Sequence, residues 1–109
     1  MIFEKLPLKE AYLIKPEYHS DNRGRFGRLF CKDELQAHGL CHDIVQMNHS
    51  VNNTVGCIRG MHYQKAPRSE VKIIKCIKGA VFDVIVDLRR ESSSFLQWHG
   101  VELSATNSQ

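Results

Sequence analysis

The sequence lacks any long apolar run, the feature that a membrane-spanning helix or a cleaved signal peptide requires. Its first ten residues already carry four charges, at Glu4, Lys5, Lys9 and Glu10, where a signal peptide would have an unbroken apolar core. These absences predict a cytoplasmic protein that has no membrane partner.

Closely spaced cysteines are also missing. Cys31, Cys41, Cys57 and Cys76 form no C-x-x-C pair, which indicates reduced thiols, most of them small core residues. The chain has no repeat, low-complexity tract or linker, and its 42% hydrophobic and 25% charged residues are typical of an ordered globular protein. Residues 1–109 are therefore predicted to form a single small domain with one core.

The net charge of +3 is too mild to indicate nucleic-acid binding by itself. Three arginines nevertheless lie close together in RGRFGR, at Arg23, Arg25 and Arg28. This run could be a single-strand-binding segment with Phe26 as a stacking platform, or a turn and strand whose arginines face solvent or a small phosphorylated ligand. We favour the second interpretation, and no nucleic-acid partner, because the run occurs once and lies between strand-like segments.

Alternating apolar and polar residues make strands the main predicted element. The pattern also predicts a turn at residues 21–24 and a short helix over 33–38 that ends at Gly39. The predicted strands cover residues 11–14, 26–30, 44–48, 58–64, 71–77, 80–88, 95–98 and 101–103. Many short strands with turns and one brief helix predict an all-β sandwich or barrel.

The stretch RGMHYQ, residues 59–64, places a cation, a glycine and a histidine almost side by side. In a regular strand Arg59 and His62 would point to opposite faces, so both enter one pocket only if the strand bulges or twists at Gly60. On spacing alone, an ordinary strand with a surface arginine and a satisfied histidine is modestly favoured.

A metal site is the next hypothesis for His62. Gly56, five further residues and His62 match the start of the metal-binding cupin pattern, but the second histidine of that pattern is replaced by Gln64. Glutamine is a poor ligand for zinc or a redox-active first-row metal. We therefore predict no metal site, and a histidine without a metal can instead act as a base.

Five ordered blocks of the chain resemble the N-terminal part of the dTDP-4-dehydrorhamnose 3,5-epimerases of the cupin superfamily. The blocks are DNRGRFGRLFCKDEL, VQMNHS, IRGMHYQKAP, VKIIKCIKGAVFDVIVDLRRESSSF and WHGVELSATN. The resemblance implies a cupin-like jelly roll that needs no cofactor, and a substrate that is a nucleotide-linked 4-keto-6-deoxy sugar on the route to dTDP-L-rhamnose. It also implies that residues 1–109 lack the C-terminal strands that carry the family's tyrosine acid and the aspartate that orients its histidine.

The resemblance assigns roles to individual residues. His62 would be the base that removes a proton beside the ketone, and Lys72 would stabilise the resulting enolate, although Lys75 lies on an equally apolar strand face. Arg59 would bind the diphosphate. The remaining residues matched to nucleotide-sugar binding are Arg23, Phe26, Gln46 and Asn48, with Phe26 able to stack on the base.

Two classes of function follow from these residues. One is an epimerase-like enzyme, and the other is a non-catalytic binding or assembly module that uses the same pocket. Because exposed sheet edges pair with available strands, we also expect a homodimer or a larger homo-oligomer.

Overall fold

A computed structural model describes residues 1–108 and contains three separate two-stranded antiparallel sheets and one short helix. β1 (Ile2–Lys5) pairs with β2 (Tyr12–Lys15), and β3 (Tyr18–Asp21) pairs with β4 (Gly24–Gly27). The helix α1 spans Lys32–Ala37, and β5 (Ala80–Val86) pairs with β6 (Trp98–Ser104). No helix in this described part of the chain is long and apolar enough to cross a membrane.

The turn predicted at residues 21–24 is confirmed as the connection of the β3–β4 hairpin. The backbone amide of Arg23 donates to Asp21 Oδ1 at 2.9 Å, so the aspartate side chain closes the turn. Gly24 has a φ of 139°, which a residue with a β-carbon rarely adopts. The predicted strand at 26–30 is shorter than expected, since β4 ends at Gly27.

The predicted helix is confirmed with a shift of one residue. Asp33 and Glu34 lie in its first turn, where carboxylates interact favourably with the helix dipole, and Leu35 is buried. The amide of Gly39 donates to the Gln36 carbonyl at 2.9 Å, and that of Leu40 donates to the Leu35 carbonyl at 3.0 Å. This pair of bonds is a Schellman motif, and the φ of 68° at Gly39 is the conformation that the motif requires.

The amino terminus is held between two carboxylates. The Met1 amine lies 2.8 Å from Glu17 Oε2 and 2.7 Å from Glu34 Oε2. Hydrogen bonds to Glu17 and Glu34 raise the pKa of this amine above its ordinary value. The same amine, together with Arg28, lowers the pKa of Glu34.

The β5–β6 hairpin is the longest paired region, with seven residue pairs from Ala80↔Ser104 to Val86↔Trp98. The strand predicted at 80–88 is confirmed except for its last two residues. The prediction of a separate strand at 95–98 is wrong, because residues 93–96 form a turn in which Leu96 has a φ of 62°. A single strand, β6, includes the one predicted at 101–103.

A buried carboxylate network explains this turn. Asp87 accepts hydrogen bonds from Ser94 Oγ at 2.7 Å and from Arg89 Nε at 2.9 Å. Hydrogen bonds hold the pKa of Asp87 well below its usual range. Those from Arg89 have the largest effect, and those from Ser92 and Ser94 have smaller ones. Arg89 also donates to the Lys9 carbonyl at 2.8 Å, so the network ties the β1–β2 connection to the β5–β6 connection.

The secondary structure of the middle of the chain differs most from the sequence-based prediction. The strands predicted at residues 44–48, 58–64 and 71–77 are absent from the structure. Among the described residues, segment 41–78 makes one backbone hydrogen bond, from Arg68 N to the Lys65 carbonyl. A strand exists only when a neighbouring strand pairs with it, and these segments have no such neighbour within residues 1–108.

The described residues bury little apolar side-chain surface. Leu8, Leu35 and Leu103 are the buried hydrophobic residues, with exposed fractions of 2–5%. By contrast, many large apolar side chains of segment 41–78 are exposed. The three buried leucines lie in the β1–β2 connection, α1 and β6.

Candidate functional site

The extended segment 56–78 brings two of the predicted catalytic residues together. Lys72 Nζ donates a hydrogen bond to the backbone carbonyl oxygen of His62 at 3.2 Å, although ten positions separate the two residues. Lys72 Nζ also lies 2.9 Å from Glu70 Oε1. The lysine ammonium is thus fixed beside the His62 backbone by a carbonyl and a carboxylate.

The backbone at Gly60 departs from the ordinary strand that the spacing of RGMHYQ modestly favours. Gly60 has a φ of 126°, a conformation that favours glycine. A β-carbon added at Gly60 would lie 3.9 Å from both the backbone nitrogen and Nδ1 of His62. The imidazole is exposed, and no carboxylate within residues 1–108 is hydrogen-bonded to it.

Lys72 and Lys75, between which the strand pattern does not choose, make different contacts. Lys75 Nζ donates to the Ser108 carbonyl at 2.7 Å, in a partly buried position. Lys75 is therefore occupied by the end of the described chain, whereas Lys72 is the lysine that contacts His62.

The arginines of RGRFGR all have partners within the protein. Arg23 Nη2 lies 2.6 Å from Asp21 Oδ2, and this ion pair lowers the pKa of Asp21. Arg25 Nη2 donates to Ser108 Oγ at 3.0 Å, and its guanidinium lies 4.5 Å from the Tyr18 ring centroid. Arg28 Nη1 lies 2.7 Å from Glu34 Oε1. The run thus lies in and just after the β3–β4 hairpin, and all three guanidinium groups have partners within the protein.

Arg59 differs from these three arginines. It is exposed, and its guanidinium makes no hydrogen bond or ion pair with any other residue in the described range. A planar guanidinium without a protein partner can bind two phosphate oxygens at once. Arg59 therefore remains the strongest candidate for an anion-binding residue close to His62.

The other predicted binding residues are present but are not linked to His62. Gln46 Nε2 donates to Asn48 Oδ1 at 3.2 Å, so these two side chains lie on the same side of the extended segment. Phe26 is 79% exposed on β4, opposite His19. No hydrogen bond within residues 1–108 connects Arg23, Phe26 or the Gln46–Asn48 pair to the imidazole.

No enclosed pocket surrounds these residues in the described structure. A depression of about 320 Å³ lies instead at residues 5–12, in the β1–β2 connection. Within residues 1–108, no three His, Cys, Asp or Glu side chains lie close enough together to hold a metal ion. The site predicted around His62 and Lys72 therefore stays a prediction, and both residues are exposed in the described structure.

Glu70 was missed by the sequence analysis. A usable signal was nevertheless present, because residues two apart in an extended chain share a face, and a glutamate two positions before a lysine can pair with it. The observed contact of 2.9 Å between Glu70 and Lys72 has this geometry.

The chain has antiparallel hairpins and a single short helix, and its solved relatives have the cupin jelly-roll fold. The protein is therefore of the cupin jelly-roll class. A family model described as dTDP-4-dehydrorhamnose 3,5-epimerase matches residues 5–109. The chain belongs to this family, and it corresponds to the N-terminal part of the family's domain.

Individual relatives agree with this assignment. A dTDP-4-dehydrorhamnose 3,5-epimerase of Sinorhizobium fredii is 36% identical over 98% of this chain and 55% of its own length. The crystal structure of the Bacillus anthracis enzyme, with TDP and PPi bound, is 40% identical with a TM-score of 0.93 over 98% of this chain and 61% of that one. The Mycobacterium tuberculosis epimerase superimposes with a TM-score of 0.91 at 35% identity, over 99% of this chain and 54% of that one. The chain thus spans little more than half the length of the relatives it matches.

Proposed function

We propose that this chain binds a dTDP-linked 4-keto-6-deoxyhexose and takes part in epimerising the carbons that flank its ketone. The observation that supports the proposal is the hydrogen bond from Lys72 Nζ to the backbone carbonyl of His62, which brings the predicted cation beside the residue that carries the predicted base in a chain of this family. Two similar structures contain a thymidine nucleotide: the Bacillus anthracis enzyme with TDP and PPi, and a Streptomyces bikiniensis 3'-monoepimerase variant with dTDP.

The chemistry requires a base and a fixed positive charge. His62 would remove a proton from a carbon beside the C4 ketone, and the electrons of that C–H bond would form an enolate. Lys72 would stabilise the negative charge on the enolate oxygen, since preorganised charge at that position lowers the barrier. Return of a proton to the opposite face of the carbon completes the inversion and needs a separate acid.

Substrate binding would depend mainly on Arg59. Its guanidinium lies three positions before His62 and makes no hydrogen bond or ion pair within residues 1–108, so it would bind the diphosphate without first breaking one. Arg23 would have to leave Asp21 to do the same. Phe26 would stack on the thymine, and Gln46 and Asn48 would donate to the nucleotide sugar.

The second candidate function is a non-catalytic module that binds the nucleotide sugar. It is favoured by the exposed imidazole of His62 and by the absence, within residues 1–108, of a carboxylate that orients it. A histidine without an orienting partner has a poorly defined tautomer and is a weaker base.

Calorimetric titration of dTDP into the wild-type protein and Arg59→Lys tests the binding step. The lysine keeps the charge but loses the planar fork, so affinity should fall about tenfold. Arg90→Lys is the matched control, because Arg90 is an exposed arginine outside this segment. Equal affinities of wild type and Arg59→Lys would contradict the role of Arg59, and the absence of any dTDP binding would contradict the proposed function.

Deuterium incorporation from D2O into the carbons beside the ketone tests the chemical step. His62→Ala should abolish incorporation, and Lys72→Met should slow it by about 100-fold or more. Lys78→Met controls for loss of a nearby exposed lysine. Binding of dTDP without deuterium incorporation in the wild type would identify the chain as a binding module.

The expected homodimer or larger homo-oligomer is part of the same proposal. Light scattering of the purified protein measures its mass directly, and a monomer at all concentrations would contradict this expectation. The cytoplasmic location also stays a prediction, and fractionation of cells would test it.

A further inference from the structure

Glu70 has no role in the chemistry described so far, although it contacts a predicted catalytic residue. Its Oε1 atom lies 2.9 Å from Lys72 Nζ. The same ammonium group donates a hydrogen bond to the backbone carbonyl of His62 at 3.2 Å. Two acceptors, one charged and one neutral, therefore hold the predicted cation in place.

The carboxylate is the stronger of these two anchors. Its charge is opposite to that of the ammonium group, and the attraction between two charges grows as their separation shrinks. The carbonyl is uncharged, and a distance of 3.2 Å is at the long end of the range for N–H···O hydrogen bonds. A lysine side chain also has a flexible four-carbon stem. Without Glu70, the Lys72 ammonium would keep one weak contact and would sample several positions.

The contact between Glu70 and Lys72 is local. Residues two apart in an extended segment share a face, so these two side chains are neighbours wherever the segment is extended. The pair needs no residue from a distant part of the chain. The carboxylate therefore accompanies the ammonium group whichever strand lies beside it.

The two contacts leave room for a substrate atom on the ammonium group. An ammonium has three N–H donors, and Glu70 and the His62 carbonyl engage at most two of them. We propose that Glu70 is a positioning residue, which holds the Lys72 ammonium beside His62 so that a remaining N–H meets the enolate oxygen. This role rests on the proposed function, because the enolate forms only if the chain takes part in that epimerisation.

The negative charge of Glu70 also has an opposing effect, since it weakens the attraction between Lys72 and an enolate. The Lys72 and Glu70 side chains are 43% and 38% exposed, so water screens this charge. Loss of a fixed position is not screened, and small displacements of a catalytic group slow a reaction strongly. Positioning is therefore the larger effect, and removal of the carboxylate should slow the chemical step.

Deuterium incorporation at saturating substrate, measured beside dTDP affinity, tests this role. Glu70→Leu should lower the rate about tenfold, whereas Glu70→Gln keeps an oxygen acceptor and should retain most of the rate. The dTDP affinity of both variants should equal that of the wild type, because dTDP has no ketone for Lys72 to bind. Glu91→Leu is the matched control, since Glu91 is an exposed glutamate in the β5–β6 connection.

A double substitution separates an effect through Lys72 from a general effect on the fold. In the Lys72→Met background, Glu70→Leu should leave the residual rate almost unchanged, because the group that Glu70 positions is gone. A further loss of about tenfold in that background would overturn the proposal. So would a rate of Glu70→Leu that equals or exceeds that of the wild type.

Nuclear magnetic resonance of the lysine ammonium groups tests the contact without substrate. The Lys72 ammonium protons should exchange with water more slowly than those of Lys78, an exposed lysine, and Glu70→Leu should remove this difference. Equal exchange at Lys72 in the wild type and in Glu70→Leu would overturn the proposal. A wild type that incorporates no deuterium would contradict the proposed function and the role of Glu70 with it, whereas an active wild type that Glu70→Leu does not slow would contradict only the role of Glu70.

Discussion

Leu35 is the most sharply testable element of the small core. It lies on α1, is 2% exposed, and is one of three buried hydrophobic side chains in the described residues. Leu35→Ala keeps a strong helix former at this position, so the change removes packing and leaves helix propensity almost unaffected. Deletion of a buried leucine side chain costs about 2–5 kcal/mol of unfolding free energy.

This loss is large for a chain with so few buried leucines. Full burial of each leucine contributes about 1.5–3 kcal/mol, so Leu35→Ala should remove a substantial part of the core's contribution. With a urea dependence of about 1–3 kcal/mol per molar, a loss of about 2–5 kcal/mol should lower the unfolding midpoint by about 0.7–5 M. Far-ultraviolet circular dichroism during urea titration measures this change.

Gln36→Ala is the matched control on the same helix, because Gln36 is exposed and its substitution changes only surface and propensity. Its midpoint should stay close to that of the wild type. If Leu35→Ala and Gln36→Ala shift the midpoint equally, α1 is not anchored by Leu35 and the description of the core is wrong.

Three further predictions concern charge and packing. The free energy of unfolding should fall as the pH rises above 8.0, because the pKa of the Met1 amine is raised in the folded state. It should also fall as the pH drops below about 4.5, because the pKa of Glu34 is lowered. Urea midpoints that do not change from pH 3 to 10 would contradict both ion pairs. Glu70→Gln should cost less than about 1 kcal/mol, because its ion pair is partly exposed, and a larger midpoint shift would show that this pair is structurally important. Gly27→Ala should cost about 1–3 kcal/mol, because a β-carbon there would lie 2.6 Å from Tyr18 Cδ1, and a stability equal to wild type would show that the β3–β4 hairpin relaxes easily.

Local features were predictable from the sequence. The helix, its end at Gly39 and the turn at residues 21–24 depend on hydrogen bonds between residues a few positions apart. The long strand beginning at Ala80 was also predictable, because its partner β6 follows within the same hairpin. The motif around His62 was recognised from its residues, as was its family.

Side-chain neighbours were less predictable. Alternation placed Lys72 and Lys75 on equally apolar faces, and only the contact of Lys75 with Ser108 separated them. No strand forms at 95–98 because Asp87 stabilises a turn there. The Asp87 side chain accepts a hydrogen bond from Ser94, and the Asp87 backbone carbonyl accepts one from the Leu96 amide at 2.8 Å. Neither partner is visible in a pattern of hydrophobic residues.

The sequence by itself therefore determined the family, the local turns, the short helix and the identity of the candidate base and cation. Among residues 1–108, the tertiary structure decided that Lys72 rather than Lys75 contacts His62, that the Arg59 guanidinium has no partner while those of RGRFGR have partners, and that segment 41–78 forms no strand pair. The physical reason is that a helix satisfies its hydrogen bonds within itself, whereas a strand requires a neighbour. Alternation shows that residues 58–64 and 71–77 are able to form strands, but only the position of a partner decides whether they do.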